Sequence, residues 1–342
     1  MSPIRKTRGY ALAALLSALA SQAQTPTPAA SGRSSTPAAT TAPPAATTAP
    51  APPKPPVRSV VDPGIIPTRQ TITPAGIQMV FQGKVHGVTF GPTSDTVYAV
   101  VASTASSLVY ELDWSANKTR RIVRAPINPG MQPIAFDAVS GEPVLTGVAA
   151  VRIPATPPAT AVVTQNTVRL AGIRKDTAHI DAADLGRSTV GGLALIDGGT
   201  RALVALTSGN ELAIVNRTNA DTARVKTGIA PFSVIANPEG TEAYVSNWGG
   251  RFPRPNDRTS RTGNETAADS VVVDSRGIAA SGTIARVDLK TNAVTHVIEV
   301  GLHPSGMALD PGAHVLYVAN SNSDSVSVID LKTNTVAETV RL

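Results

Sequence analysis

Apolar residues near the end of the chain fall into four short runs that turn residues separate. The runs are Gly306–Asp310, Val315–Asn320, Ser325–Asp330 and Val336–Val340. Gly, Asn, Asp and Pro stand between them, where hairpins use residues that accept a positive φ. The pattern predicts four antiparallel strands within the last 40 residues.

This four-run unit recurs along the chain. VDLKTNAV begins at Val287 and IDLKTNTV at Ile329, so two lines that agree at six of eight positions lie 42 residues apart. YVSN begins at Tyr244 and YVAN at Tyr317, each 13 residues after a proline. GTRALVAL begins at Gly199, and GTEAYVSN follows 41 residues later. A period near 42 with four strands per unit is typical of a β-propeller.

We therefore predict an all-β fold, a β-propeller of four-stranded blades. A single blade buries both faces only when neighbours stack on it, which explains strands that are apolar at consecutive positions. Five units are recognisable inside a predicted propeller region, 58–342; they span residues 85–124, 131–187, 188–228, 229–301 and 302–342. No helical period of 10–15 residues follows the strands, so the sequence gives no support to a four-helix or doubly wound fold.

The first 57 residues have a different composition. Basic residues precede an apolar run from Gly9 to Ala20, and Ser21-Gln-Ala23 ends in a small residue, which predicts a signal peptide over residues 1–23. Residues 24–57 are rich in Pro, Ala and Thr and predict a disordered linker. We expect an exported protein, periplasmic or extracellular, with no membrane span after cleavage; a retained anchor is the alternative.

Net charge and cysteine content reduce the number of function classes that fit the chain. The formal charge is +6, and removal of residues 1–23 takes away three cations and no acid, leaving +3. So small a surplus argues against a nucleic-acid footprint. The chain has no cysteine, which excludes disulfides, thiolate metal sites and a Cys nucleophile.

The YVSN and YVAN lines, with their proline lead-ins and Val-Ile-Asp tails, resemble the YVTN (YncE-like) β-propeller repeat. The run YVSNWGGR from Tyr244, together with GTIARVD from Gly282, is similar to a bacterial subgroup in which an exported propeller precedes a phosphoesterase domain of the alkaline-phosphatase superfamily. The resemblance implies an accessory propeller, usually of seven blades. With five recognisable units, we expect a truncated chain; a closed ring of five is the alternative. An open arc would expose two apolar blade faces and should associate.

The topology of a propeller predicts one loop-rich face. The two longest insertions, 148–160 and 248–282, both follow second strands and so lie on the side of the blade-to-blade links. Long loops on a rigid scaffold commonly carry binding. The second insertion holds Arg251, Arg254 and Arg258, whose guanidinium groups suit a small anionic ligand or a cell-envelope protein. A solvated loop with its arginines near Asp257 is the alternative.

Four further residues are candidates for the same face. Trp248 follows the strand that ends at Asn247 and is placed either to stack on a ligand or to pack under its own loop. Asn247 and Asn320 end equivalent strands, where Asn commonly makes a turn hydrogen bond. His303 lies on the link to the last unit.

No catalytic constellation is visible in the sequence. There is no triad, no histidine pair at metal spacing and no glycine-rich phosphate loop, and the acids of the second insertion lack the spacing of a calcium loop. We expect no cofactor and no metal, and a non-enzymatic binding or scaffold module. A lactonase-type propeller enzyme and a single-stranded nucleic-acid binder are the alternatives.

Overall fold

The computed structural model describes residues 83–342 together with Met79 and Phe81, except for residues 105, 114, 117, 155–161 and 263–268. The predicted signal peptide and linker lie outside the described residues. The described chain is almost entirely β-structure, with one 3₁₀ turn at Thr207–Gly209. It contains no helix of the length and apolar character that a membrane span requires.

Five antiparallel sheets of four strands follow one another, and we call them blades A to E. Blade A contains β1 (Val85–Phe90), β2 (Thr96–Ser103), β3 (Ser106–Asp113) and β4 (Lys118–Ala125). Blade B contains β5 (Asn128–Asp137), β6 (Glu142–Pro154), β7 (Val162–Arg174) and β8 (Thr177–Ile180). Blade C contains β9 (Val190–Ile196), β10 (Arg201–Leu206), β11 (Glu211–Asn216) and β12 (Thr222–Lys226).

The last two blades are built in the same way. Blade D contains β13 (Ile229–Ala236), β14 (Glu242–Gly250), β17 (Gly282–Asp288) and β18 (Ala293–Val300). A separate hairpin, β15 (Thr259–Arg261) with β16 (Ser270–Val272), is inserted between β14 and β17. Blade E contains β19 (Pro304–Asp310), β20 (Val315–Asn320), β21 (Ser325–Asp330) and β22 (Thr335–Arg341). The predicted all-β propeller of four-stranded blades is confirmed.

The first strands of the blades approach one another closely. Strands β5 and β9 form a parallel bridge, Gln132 with Gly192, which joins blades B and C. A Cβ on the preceding Gly191 would lie 2.3 Å from the carbonyl oxygen of Phe232 in blade D. Glycine at this position lets the first strands come within backbone contact.

Apolar clusters lie between successive blades and explain why both faces of a strand are buried. The A–B cluster includes Tyr98, Val100 and Leu145, the B–C cluster Val144, Leu170 and Val204, the C–D cluster Leu203, Ile214 and Val245, and the D–E cluster Tyr244, Ile284 and Leu316. Ala202 and Leu203 are adjacent and both fully buried, one toward blade B and the other toward blade D. Each large side chain so buried contributes about 1.5–3 kcal/mol.

The repeated line VDLKTNAV has a structural cause. Oδ1 of Asp288 accepts hydrogen bonds from the N–H groups of Lys290 and Thr291, and Oδ1 of Asp330 accepts those of Lys332 and Thr333. Asn292 and Asn334 then take positive φ values of 54° and 57°. The same Asp and Asn therefore close the same turn in blades D and E.

The leucine in that line receives a contact from the preceding blade. Arg286 of blade D donates from Nη1 to the carbonyl oxygen of Leu331 at 2.9 Å and also forms an ion pair with Glu242. Arg201 of blade C donates to the carbonyl oxygen of Leu289 at 3.4 Å. At each of two successive interfaces, C–D and D–E, one arginine thus connects the neighbouring blades.

The two predicted insertions differ in detail from expectation. Strands β6 and β7 pair continuously from Val144 with Gly172 to Pro154 with Val162, so residues 148–154 of the first predicted insertion extend a hairpin. Strand β14 continues to Gly250, so Trp248 lies on the strand and Asn247 does not end it. The alternating strand directions place both insertions on the side of the blade links, which we call the link face.

Candidate ligand-binding face

The link face is best defined between blades D and E. The carbonyl oxygens of Leu302 and His303, on the D–E link, accept hydrogen bonds from the N–H groups of Asn322 and Ser321, on the β20–β21 connection. The N–H of Leu302 donates to Oγ of Ser323 at 2.7 Å. The blade link and the second-to-third-strand connection therefore form one hydrogen-bonded unit.

Three rings stack at this unit. The Trp248 ring lies between Phe232 and His303, with centroid distances of 3.9 Å and 4.1 Å and interplanar angles of 19° and 20°. Phe232 occupies a bulge of β13, between the pairs Pro231 with Asn247 and Ser233 with Ser246. Nε1 of Trp248 is buried and has no hydrogen-bond partner among the described residues. Trp248 thus packs against protein rings on both sides.

His303 is held in one orientation. Its backbone φ is +57°, in the left-handed region that His adopts more readily than most residues. Oγ of Ser321 donates to the carbonyl oxygen of His303 at 2.9 Å and lies 3.0 Å from Nδ1 of the same residue. Because that hydroxyl has a single proton, Nδ1 is the donor and Nε2 carries the lone pair. Burial lowers the pKa of the imidazole below its ordinary value.

Arg251 is fixed by an acid of its own insertion. Its Nη1 and Nη2 donate to the two carboxylate oxygens of Asp257 at 2.6 Å and 3.0 Å, and Nε lies 3.7 Å from Oε1 of Glu299. Asp257 also accepts the N–H of Arg254 at 2.6 Å. The bonds from Arg251 and then Arg254 hold the pKa of the Asp257 carboxyl at about 2. The paired guanidinium orders residues 251–257.

Arg254 and Arg258 are placed differently. Both are exposed, and within the described part of the chain neither guanidinium makes a hydrogen bond or an ion pair. Asp257, the acid between them, is already engaged with Arg251. The loop therefore presents two unpaired cations on a segment that a bidentate ion pair has ordered.

Asn247 and Asn320 are buried inside their blades. Asn247 is fully buried; its Nδ2 donates to Oγ1 of Thr283 at 3.3 Å, and its Oδ1 accepts from Oγ1 of Thr227 at 3.1 Å. Asn320 is 1% exposed, and its Nδ2 donates to the hydroxyl oxygens of Ser325 and Ser327. The Asn247 amide thus connects β14, β17 and the C–D link, and the Asn320 amide connects β20 with β21.

A polar cleft of about 540 Å³ opens beside these groups. It lies between the fourth strand of blade D and the last two strands of blade E, and Glu299, Gly301, Ser325, Ser327 and Arg341 are among the residues that line it. Glu299 is also the residue that approaches Arg251. Glu299 therefore lies between the cleft and the arginine loop.

The structure brings some predicted residues together and separates others. Trp248 and His303 are in direct contact, although 54 residues lie between them. Arg254 and Arg258 stand on the exposed loop, apart from this stack. Sequence reasoning missed Phe232, whose signal was its position beside Pro231, at the start of the strand that pairs with the Asn247 segment. Among the described residues no three His, Asp or Glu side chains are grouped for a metal ion.

Comparisons with known proteins add the following findings. No family model matches the chain, and no curated protein matches it. A functionally unknown protein from Desulfotomaculum acetoxidans aligns with 15% identity and a TM-score of 0.49, over 77% of this chain and 73% of that one. The β-propeller domain of Cps50 (Swd1) from Myceliophteria thermophila aligns with 10% identity and a TM-score of 0.45, over 73% and 66%.

Hydrazine synthase from Kuenenia stuttgartiensis aligns with 14% identity and a TM-score of 0.37, over 78% of this chain. The chain spans about half the length of that protein, 53%. Similarity at this level concerns strand arrangement alone, and nothing about function is drawn from it.

Proposed function

We propose that this β-propeller is an exported, non-enzymatic binding module that recognises an anionic ligand or a cell-envelope protein through its link face. The observation that carries the proposal is the loop of residues 251–258. Arg251 and Asp257 form a bidentate pair inside it, and Arg254 and Arg258 are exposed and form no ion pair with a described residue. Two exposed guanidinium groups on a loop held by an internal ion pair suit a phosphate or carboxylate.

Membership of the YVTN (YncE-like) group, export and the association with a phosphoesterase domain are further parts of this proposal. They are supported by the YVSN and YVAN lines, by the basic and apolar N-terminal sequence, and by the resemblance of residues 244–288 to exported propellers that precede such a domain. In that setting the propeller would hold a substrate-bearing or envelope component near the phosphoesterase. N-terminal sequencing of the protein from a bacterial periplasm, with Gln24 expected first, tests the export step.

The binding step is tested with the double variant Arg254→Glu and Arg258→Glu. Inorganic phosphate, polyphosphate and citrate serve as probes in calorimetric titrations. We expect polyphosphate to bind the unmodified protein and the affinity to fall tenfold or more in the variant, because each lost charged hydrogen bond contributes about 1.5–3 kcal/mol.

The matched control is the double variant Lys290→Glu and Lys332→Glu. It changes the net charge by the same amount at exposed turns on the side opposite the link face. Equal loss of affinity in both variants would show that net charge alone attracts the probe and would overturn the assignment to the link face. No binding of any probe to the unmodified protein would overturn the anion proposal.

A further inference from the structure

The polar cleft between blades D and E departs from the apolar packing at the B–C and C–D interfaces. Three residues before the end of the third strand, blade C has Ala213 and blade D has Ala285. Both alanines are fully buried in the apolar cluster that their blade shares with the preceding one. Blade E has Ser327 at the same position, so a hydroxyl group stands where the repeat otherwise packs a methyl group.

Ser325 and Ser327 lie on the face of β21 that is turned toward blade D. Ile329 lies on the same face and belongs to the D–E apolar cluster. Alternate residues of a strand share one face and are roughly 6.5–7 Å apart. The cross-strand partners of the two serines on β22 are Arg341 and Thr339. These four polar residues form the wall of the cleft on the side of blade E.

The two buried serine hydroxyls have hydrogen-bonding capacity that the described protein groups do not use. Oγ of Ser325 and Oγ of Ser327 accept hydrogen bonds from Nδ2 of Asn320 at 3.2 Å and 2.9 Å. Neither O–H donates to an acceptor among the described residues, although the two serines are only 4% and 1% exposed. Because a serine oxygen has two lone pairs and one proton, each hydroxyl keeps a donor and a lone pair at the wall of the cleft.

The exposed part of the cleft adds a third serine and a mixed set of charges. Oγ of Ser323 accepts an N–H group of the D–E link at 2.7 Å, and its own O–H has no acceptor among the described residues. The charged residues that line the cleft are two acids and one base, Glu299, Asp324 and Arg341. The cleft therefore has no surplus of cations, in contrast to the loop of residues 251–258.

We infer that this cleft binds a neutral, hydroxyl-rich ligand, a saccharide, which Ser325 and Ser327 recognise. A ligand hydroxyl both donates and accepts, so it satisfies the proton and the lone pair of a serine together. A carboxylate or phosphate would use the serine protons alone and would meet two acids, and an ammonium group would use the lone pairs alone. The volume of about 540 Å³ lies within the range of small-molecule sites. This ligand differs in charge from the anion proposed for the loop of residues 251–258.

Calorimetric titration with neutral trisaccharides tests this inference. The probes are maltotriose, cellotriose and N-acetylated chitotriose at up to roughly 10 mM, which detects dissociation constants in the millimolar range. We expect at least one of them to bind the unmodified protein, and Ser327→Ala to weaken that binding about fivefold or more. Because blades C and D have alanine at this position, the variant should keep its fold, which cooperative unfolding in urea checks.

The matched control is Ser275→Ala, since Ser275 is an exposed serine of the second insertion and does not line the cleft. It should bind the trisaccharide like the unmodified protein. The double variant Arg254→Glu and Arg258→Glu should also keep trisaccharide binding, and Ser327→Ala should keep polyphosphate binding, so the two sites can fail separately. No binding of any trisaccharide would overturn the inference, as would equal losses in Ser327→Ala and Ser275→Ala. Loss of polyphosphate binding in Ser327→Ala would overturn it in favour of an anion site in the cleft.

Discussion

Blades D and E begin with corners of the same design, and the hydrogen bonding of one asparagine differs between them. In the blade D corner, Thr227 and Gly228 lead into the blade, and Asn247 packs against them from the second strand. In the blade E corner, Val300 and Gly301 hold these positions and Asn320 takes the place of Asn247. The hydroxyl of Thr227 donates to Oδ1 of Asn247 at 3.1 Å, whereas Oδ1 of Asn320 is buried without a partner among the described residues.

The comparison shows which contacts both corners make and which contact only the blade D corner makes. Both corners keep the glycine and the asparagine, because the amide occupies the space that a Cβ on the glycine would fill. Only one corner satisfies the amide oxygen. A buried acceptor without a donor costs about 1–3 kcal/mol, so blade E is the less stable of the two at this point. The polar cleft lined by Gly301 lies beside the less satisfied corner.

The largest effect on the free energy of unfolding is expected when a methyl group is added at the glycine of each corner. A Cβ at Gly228 would lie 2.7 Å from Cγ of Asn247 and 2.7 Å from the carbonyl oxygen of Gly250, and one at Gly301 would lie 2.6 Å from Cγ of Asn320. We expect Gly228→Ala to lower the free energy of unfolding by about 1–3 kcal/mol in urea titrations. Gly301→Ala should cost less, because its short contacts are to one side chain beside an open cleft.

Gly306→Ala is the control, since a Cβ there meets no atom within 4 Å and the backbone φ is not positive. A loss of stability in Gly306→Ala equal to that in Gly228→Ala would mean that the corner contact is not the cause.

An exchange of the differing residues has the next largest effect. Thr227→Val removes the donor to Asn247 and should lower the free energy of unfolding by about 1–3 kcal/mol. Val300→Thr offers a donor to Oδ1 of Asn320 and should raise it by about 0.5–1.5 kcal/mol. Chemical unfolding of both single variants gives the two values. Effects of the same sign would contradict the interpretation that one hydrogen bond distinguishes the corners.

The sequence predicted the repeat on which this comparison rests, but not the contacts inside it. The spacing of Tyr244 and Tyr317 placed Asn247 and Asn320 at equivalent positions, because hairpins of fixed length leave little freedom in register. The stack of Trp248 on His303 joins residues from two blades, and no local pattern encodes such a contact. The pair of Arg251 with Asp257 depends on how a loop with two prolines folds back, which spacing alone does not determine.

Strand length was underestimated where the pattern looked like a loop. Residues 148–154 consist mainly of small and β-branched residues, and turn residues do not bound them at both ends. They continue β6 because the segment 162–168 pairs with them across the hairpin. A strand that extends beyond its blade has no neighbouring blade to impose an apolar pattern, so its sequence lacks the usual signal.

The smallest predicted effect is on the pH dependence of stability. It concerns the residue with positive φ in each corner, which is Ala230 in blade D and His303 in blade E. Burial lowers the pKa of His303, so the folded protein binds fewer protons than the unfolded chain just below the ordinary imidazole value of about 6.5. The contribution of His303 to stability is therefore complete above that value and is lost as the pH falls through it. His303→Asn keeps a residue that tolerates positive φ and removes the titration.

We expect urea titrations to show a smaller loss of stability between pH 7.5 and pH 5.5 in His303→Asn than in the unmodified protein. The other four histidines are common to both proteins, so they cancel in the comparison. An equal loss in the two proteins would show that the stack on Trp248 accepts the charged imidazolium as readily as water does. In that case the D–E link would differ from the C–D link in shape but not in its response to pH.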